Sequence, residues 1–112
     1  MQYSSFAHSR TTVFQPNSHI NADNAAVLQE QLAETVASQE YSSLMVDMSK
    51  VESLDSAGLM ALVTTLTLAQ RLNKQFYLFG ISPSIRIIFE LTQLDRVFKI
   101  LEHPPSLEAA IA

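Results

Sequence analysis

A carboxylate, a hydroxyl and a glycine fall together at Asp55-Ser56-Ala57-Gly58-Leu59, the segment best equipped for chemistry. It stands between an apolar run ending at Met48 and a stretch with helical periodicity, so it reads as the loop that enters a helix. Ser56 has a hydroxyl suited to capping first-turn amides. Gly58 lets another chain approach the backbone closely. The helix start itself offers free N–H groups and a partial positive charge, which can host an added phosphate. Two readings stay open from these residues alone. In one, Ser56 is an ordinary N-cap and Asp55 a turn residue. In the other, Ser56 is a hydroxyl held out for modification.

Other chemistry finds less support. His8, His19 and His103 are far apart and not at ligand spacing, so each reads as a surface histidine and no metal is expected. Two glycines, Gly58 and Gly80, cannot make a phosphate-cradling loop. Asp47 and Asp55 could be imagined as a carboxylate pair, but Asp47 at a strand end fits loop geometry better. Ser56 is not in a Gly-x-Ser-x-Gly setting, and no histidine is placed as its base, so a hydrolase is not expected. Met60 is expected to be exposed, and its adaptable side chain suits a partner contact.

The elements that must position this segment alternate between strand and helix. Thr11, Thr12, Val13 and Phe14 read as a strand that pairs with a weaker one over residues 3–6. Asn21 or Asp23 can cap a helix carrying Leu28, Leu32 and Val36 at every fourth position. Leu44-Met45-Val46-Asp47-Met48 is a buried strand. Leu59, Leu62, Val63, Leu66, Ala69 and Leu72 form one helical stripe, closed by Arg71, Asn73 and Lys74. Phe76-Tyr77-Leu78-Phe79 is a central strand ending at Gly80. Ser82-Pro83 starts a helix whose apolar face is Ile85, Ile88 and Phe89. A last short strand is expected over residues 97–101, and Pro104-Pro105-Ser106 opens a terminal turn with Leu107 and Ile111. This alternation predicts an α/β domain with a mixed, mostly parallel sheet of about four to five strands and covering helices.

Composition bounds the function. The chain has 112 residues, enough for one domain with its own core. It has no cysteine, which removes disulfides, thiolate metal sites and cysteine nucleophiles together. Seven Lys and Arg against eleven Asp and Glu, a net charge of −4, supply phosphate neutralisation poorly, so nucleic acid is not an expected partner. No basic-then-apolar leader and no membrane-length apolar stretch stand out, so a soluble cytoplasmic domain is expected, monomeric when free.

The ordered set of segments carries a resemblance. It comprises Leu44-Met45-Val46-Asp47-Met48-Ser49, then Asp55-Ser56-Ala57-Gly58-Leu59, then Phe76-Tyr77-Leu78-Phe79-Gly80-Ile81-Ser82-Pro83, then Ile88-Phe89-Glu90-Leu91-Thr92-Gln93-Leu94-Asp95 and Val97-Phe98. This succession resembles the STAS family, the anti-sigma-factor antagonist group of bacterial signalling domains. The match runs over residues 11–101 of a single domain spanning 1–112. The resemblance implies a non-enzymatic module without cofactor or metal. Ser56 would be phosphorylated by a serine kinase that doubles as an anti-sigma factor. The unphosphorylated form would bind that kinase, the phosphorylated form would let go, and a metal-dependent serine phosphatase would reset it. The implied partner surface is Asn21, Asp55, Ser56, Ala57, Gly58, Leu59 and Met60. Two positions depart from the family's habit: Ala57 stands where many members have a second serine, and Asn21 where they often have Asp. An alternative is a STAS subunit that is never phosphorylated and acts as a scaffold in a stress sensor or transport assembly.

Overall fold

Each apolar run forms a strand, and each periodic stretch forms a helix. The computed structural model describes residues 10–102. Their order is β1 (Thr11–Phe14), β2 (His19–Ile20), α1 (Ala25–Ala37), β3 (Ser43–Asp47), β4 (Ser53–Leu54), α2 (Ser56–Arg71), β5 (Gln75–Phe79), α3 (Pro83–Leu91), a 3-10 turn (Leu94–Arg96) and β6 (Lys99–Leu101). The strand expected over residues 3–6 and the terminal turn with Leu107 and Ile111 lie outside the described residues.

Four strands build the main sheet in the order β1-β3-β5-β6, and every pairing is parallel. The sheet is thus wholly parallel among the described residues. Parallel neighbours need a crossover, and α1, α2 and α3 supply one each. The strand order advances in one direction, so right-handed crossovers set the three helices on one face. The core shows it: Leu44, Val46, Phe76 and Leu78 from the sheet pack with Leu28, Leu32, Leu62, Leu66, Ile85 and Phe89 from the helices. Each helix follows a strand, so all three helix N-termini open at the carboxyl edge of the sheet. A second, two-stranded parallel ladder pairs His19 with Ser53 and Ile20 with Leu54 at that same edge.

Helix boundaries follow local hydrogen bonding. At α3, Ser82 caps with its hydroxyl accepting from the Ile85 amide at 3.3 Å and Pro83 fills the first helical position, as expected. At α1 the cap is Asn24 rather than Asn21 or Asp23. The Asn21 carbonyl accepts the amides of Asn24 and Ala25, which makes a turn before the helix begins. In α2, Leu62, Leu66 and Ala69 are buried as the stripe predicts, while Leu59 and Val63 are half-buried. Leu72 is exposed instead, because it is the C-cap residue and has left the helix axis. Gly58, Ala61 and Thr65 complete the buried face. The final strand is shorter than expected. Val97 and Phe98 still donate to the Leu94 carbonyl, so the chain is turning until Lys99.

The close of α2 ties two connections together. Asn73 adopts φ 59°, the left-handed conformation that stops a helix. Lys74 then donates from Nζ to the carbonyls of Ser38 at 2.7 Å and Tyr41 at 2.6 Å, past the end of α1. Lys74→Met keeps the stem but strands both carbonyls, and urea unfolding is expected to show a loss of about 1.5–3 kcal/mol, the scale of charge-assisted hydrogen bonding at a half-buried site. Unchanged stability would show that water replaces the ammonium at no cost.

Candidate functional site

The carboxyl edge gathers the chemistry-bearing segment. Asp55, not Ser56, caps α2: its backbone is extended at φ −95° and ψ −175°, and its Oδ1 accepts the Gly58 amide at 3.0 Å. A capping oxygen must reach the second or third helical amide, and Asp55 is three residues before Gly58. Ser56 is displaced into the first helical position. Its side chain is exposed and makes no hydrogen bond among the described residues. The Ser56 and Ala57 amides also lack a protein acceptor, as first-turn amides do. The hydroxyl is therefore presented to solvent at the positive end of a 16-residue helix.

The other Asp55 oxygen reaches across the chain. Oδ2 accepts the Ala22 amide at 3.2 Å, and the Asp55 amide donates to the Ile20 carbonyl at 3.1 Å. The 21–23 loop is thereby set against the start of α2. Asn21 Oδ1 accepts the Asp23 amide at 2.9 Å, and Asn24 Oδ1 accepts the Asn21 amide at 3.0 Å. Beside them His19 Nδ1 and Ser53 Oγ share a hydrogen bond of 2.7 Å on the exposed side of the short ladder.

The residues singled out in the sequence divide by direction. Asp55, Ser56 and Met60 are exposed, with Met60 at 60% one turn beyond Ser56 on the same helix side. Asn21, Ala57 and Leu59 are half-buried, and the last two rest on the core. Gly58 points inward. It is buried, and a Cβ there would meet Ile20 Cγ2 at 2.5 Å and Leu54 Cδ1 at 2.7 Å. The close approach it permits is made by this chain's own ladder. Sequence reasoning missed the β2–β4 ladder and the Ala22 amide. Two-residue strands carry no periodicity, and a backbone amide has no residue type to read.

Asp47 stands apart from Asp55. Its Oδ2 accepts from Gln15 Nε2 at 2.9 Å and its Oδ1 from the Ser49 amide at 3.0 Å, at the turn where Gly80 (φ +75°) passes close to both Asp47 and Ser49. Burial pushes its carboxyl up, but the Ser49 and Gln15 hydrogen bonds with the nearby Lys50 charge outweigh it and hold the group below 3.8. The folded state thus binds the proton less readily than the unfolded chain. The stability Asp47 contributes is present above about pH 4 and is lost as pH falls through the lowered folded value. Asp47→Asn is expected to flatten the acid limb of stability against pH, read from urea midpoints at pH 7, 4 and 3. An unaltered limb would assign acid sensitivity to other carboxylates. Among the described residues no cluster of three or more His, Cys, Asp or Glu could hold a metal ion. No described helix is long and apolar enough to cross a membrane.

Known proteins share this architecture. A Thermotoga maritima protein provisionally named an anti-sigma factor antagonist has a crystal structure that superposes with a TM-score of 0.76, at 26% identity, covering 83% of this chain and 80% of that one. An anti-sigma factor antagonist from Mycobacterium paratuberculosis gives 0.75 at 28% identity, covering 93% and 85%. The Bacillus cell fate determinant SpoIIAA in its phosphorylated form gives 0.65 at 12% identity, covering 85% and 86%, a likeness of fold alone. The STAS domain family matches residues 6–107, which contain the four described strands of the main sheet, the three described helices and the Asp55-Ser56 helix start, and the chain belongs to that family.

Proposed function

We propose that this protein is a partner switch of the anti-sigma factor antagonist type, with Ser56 as its phosphorylation acceptor. The observation that carries the reading is the Ser56 hydroxyl: exposed, uncommitted and set beside the Asp55 cap at a helix start. The relatives named as anti-sigma factor antagonists support the class of partner. In this reading the unphosphorylated chain binds a serine-kinase anti-sigma factor in the cytoplasm through Asn21, Asp55, Ser56 and Met60, with Ala57 and Leu59 shaping the ledge. The kinase transfers the γ-phosphoryl of ATP to Ser56 Oγ. The new O–P bond replaces the bond to ADP, and the hydroxyl proton passes to a base of the kinase. A metal-dependent serine phosphatase later transfers the phosphoryl group to water, so that the Oγ–P bond breaks, inorganic phosphate leaves and a proton restores the hydroxyl. The chain itself performs no catalysis.

Charge makes the switch work without a change of fold. Phosphate adds about −1.5 to −2 at neutral pH, which takes the net charge from −4 to between about −5.5 and −6. At a contact surface that already contains Asp55, the added charge and bulk act directly on the partner. A cost of a few kcal/mol is the scale for a poorly paired charge at an interface.

The test is intact-mass spectrometry of the chain from its native cells, with peptide mapping over residues 51–71. Phosphate on Ser56 that a serine phosphatase removes is the expected result. Unmodified Ser56 under every growth condition would overturn the switch and leave the scaffold role, to be pursued by identifying co-purifying partners.

A further inference from the structure

We propose that Asp55 is a positioning residue that couples the state of Ser56 to the 21–23 loop. This deepens the reading of Ser56 as the modified residue and rests on it. One carboxylate serves its own helix and a residue 33 positions before it: Oδ1 holds the Gly58 amide inside α2 at 3.0 Å, and Oδ2 holds the Ala22 amide at 3.2 Å. The contact to the loop is the longer of the two and lies at the surface, since Ala22, Asp23 and Asp55 are all exposed. The other bonds of the loop, from the Asp23 amide to Asn21 and from the Asn21 amide to Asn24, do not reach α2.

A phosphate on the adjacent Ser56 bears on this carboxylate in two ways. Its oxygens are strong acceptors at a helix start whose Ser56 and Ala57 amides are unengaged, so it is drawn to those two amides, beside the Asp55 carboxylate. Its charge also repels the carboxylate at close range, an effect that water around two exposed groups weakens but adjacency preserves. The Ala22 contact is the one that gives way. Phosphorylation is thereby reported at a loop that forms part of the same ledge, and a partner meets two changes instead of one.

Asp55→Asn separates the two duties. Asparagine is as good an N-cap as aspartate, so its Oδ1 keeps the Gly58 amide. Its Nδ2 is a donor and cannot accept from Ala22. Phosphoserine placed at 56 by genetic code expansion makes the experiment independent of any kinase. Amide hydrogen exchange at Ala22, measured by NMR on the full chain, is the readout. In the wild type, phosphoserine is expected to speed Ala22 exchange about fivefold, the equivalent of one ordinary hydrogen bond. In Asp55→Asn, exchange is expected to be faster already, with a urea midpoint only slightly lower and unfolding still cooperative, and phosphoserine adds less than about twofold on the same scale. An equal phosphate effect in both backgrounds, or none in the wild type, overturns the coupling. Its failure is distinct from that of the switch itself: phosphate found on Ser56 in cells with no effect at Ala22 overturns the coupling alone, and an effect at Ala22 supports it whether or not cells modify Ser56.

Discussion

Ser56→Ala is expected, on the switch proposed above, to hold a serine-kinase partner after ATP is added, while the wild type lets go. Before ATP the two proteins should bind within a few-fold of each other, because alanine removes one exposed hydroxyl and leaves the Asp55 cap and the helix start in place. Afterwards the wild type should lose about 10- to 100-fold in affinity, the equivalent of about 1.4 to 2.8 kcal/mol of charge and steric conflict. Ser56→Asp should fall between them. A carboxylate carries less charge and fewer acceptor oxygens than a phosphate, and it lacks the bulk. Stability should change by less than about 0.5 kcal/mol in the alanine variant, as for exposed positions free of special duties, since the cap is Asp55. Affinity measured by calorimetry with and without ATP, beside urea unfolding, gives both numbers. Equal release of alanine and wild-type protein by kinase and ATP would remove Ser56 from the switch.

The resemblance in the sequence pointed to the Asp55-Ser56 helix start as the candidate site, and local chemistry in the sequence located most of the elements around it. Ser82-Pro83 reads as a helix start because both residues act on their nearest backbone, and neither needs a distant neighbour. The stripe of Leu28, Leu32 and Val36 is legible because helix and core demand the same period. The assignment of the α2 cap to serine, one residue late, has a physical reason. Aspartate and serine are about equally good caps, and composition cannot choose between neighbours. The choice is made by the ladder, where the Asp55 amide bonds to Ile20 and fixes the extended backbone that a cap requires. Asn24 is the same lesson at α1: its side chain turns back to His19 at 2.7 Å and to Asn21, a pair of contacts that only the folded loop supplies. The tertiary part of the site, the Asp55 bridge to Ala22, joins residues 33 apart and left no mark in residue type.

Gly58→Val is expected to be the most damaging single change near the site, and its damage should reach Ser56 without touching it. The added Cβ alone would stand 2.5 Å from Ile20 Cγ2 and 2.7 Å from Leu54 Cδ1. Ile20 is 2% exposed and Leu54 7%, so neither can swing out into water. Helix propensity argues the other way, because replacing glycine recovers up to about 1 kcal/mol in a helix interior. That gain is smaller at a first turn fixed by its cap, and overpacking a filled core costs about 1–3 kcal/mol for modest additions. Gly58→Ala should therefore lose about 1–2 kcal/mol net and Gly58→Val, with two further methyls, about 3. For a domain of this size each kcal/mol lowers the melting temperature by about 4–8 °C, so thermal unfolding separates the two variants from each other and from wild type. Relief of the clash must lift α2 from the ladder, and that movement draws Asp55 away from Ala22 and shifts Ser56 relative to the 21–23 loop. Partner affinity in Gly58→Ala should fall at temperatures where the domain remains folded. An alanine variant as stable as wild type would mean that Ile20 and Leu54 yield freely, and the ledge would then owe its geometry to the Asp55 hydrogen bonds instead of to packing beneath it.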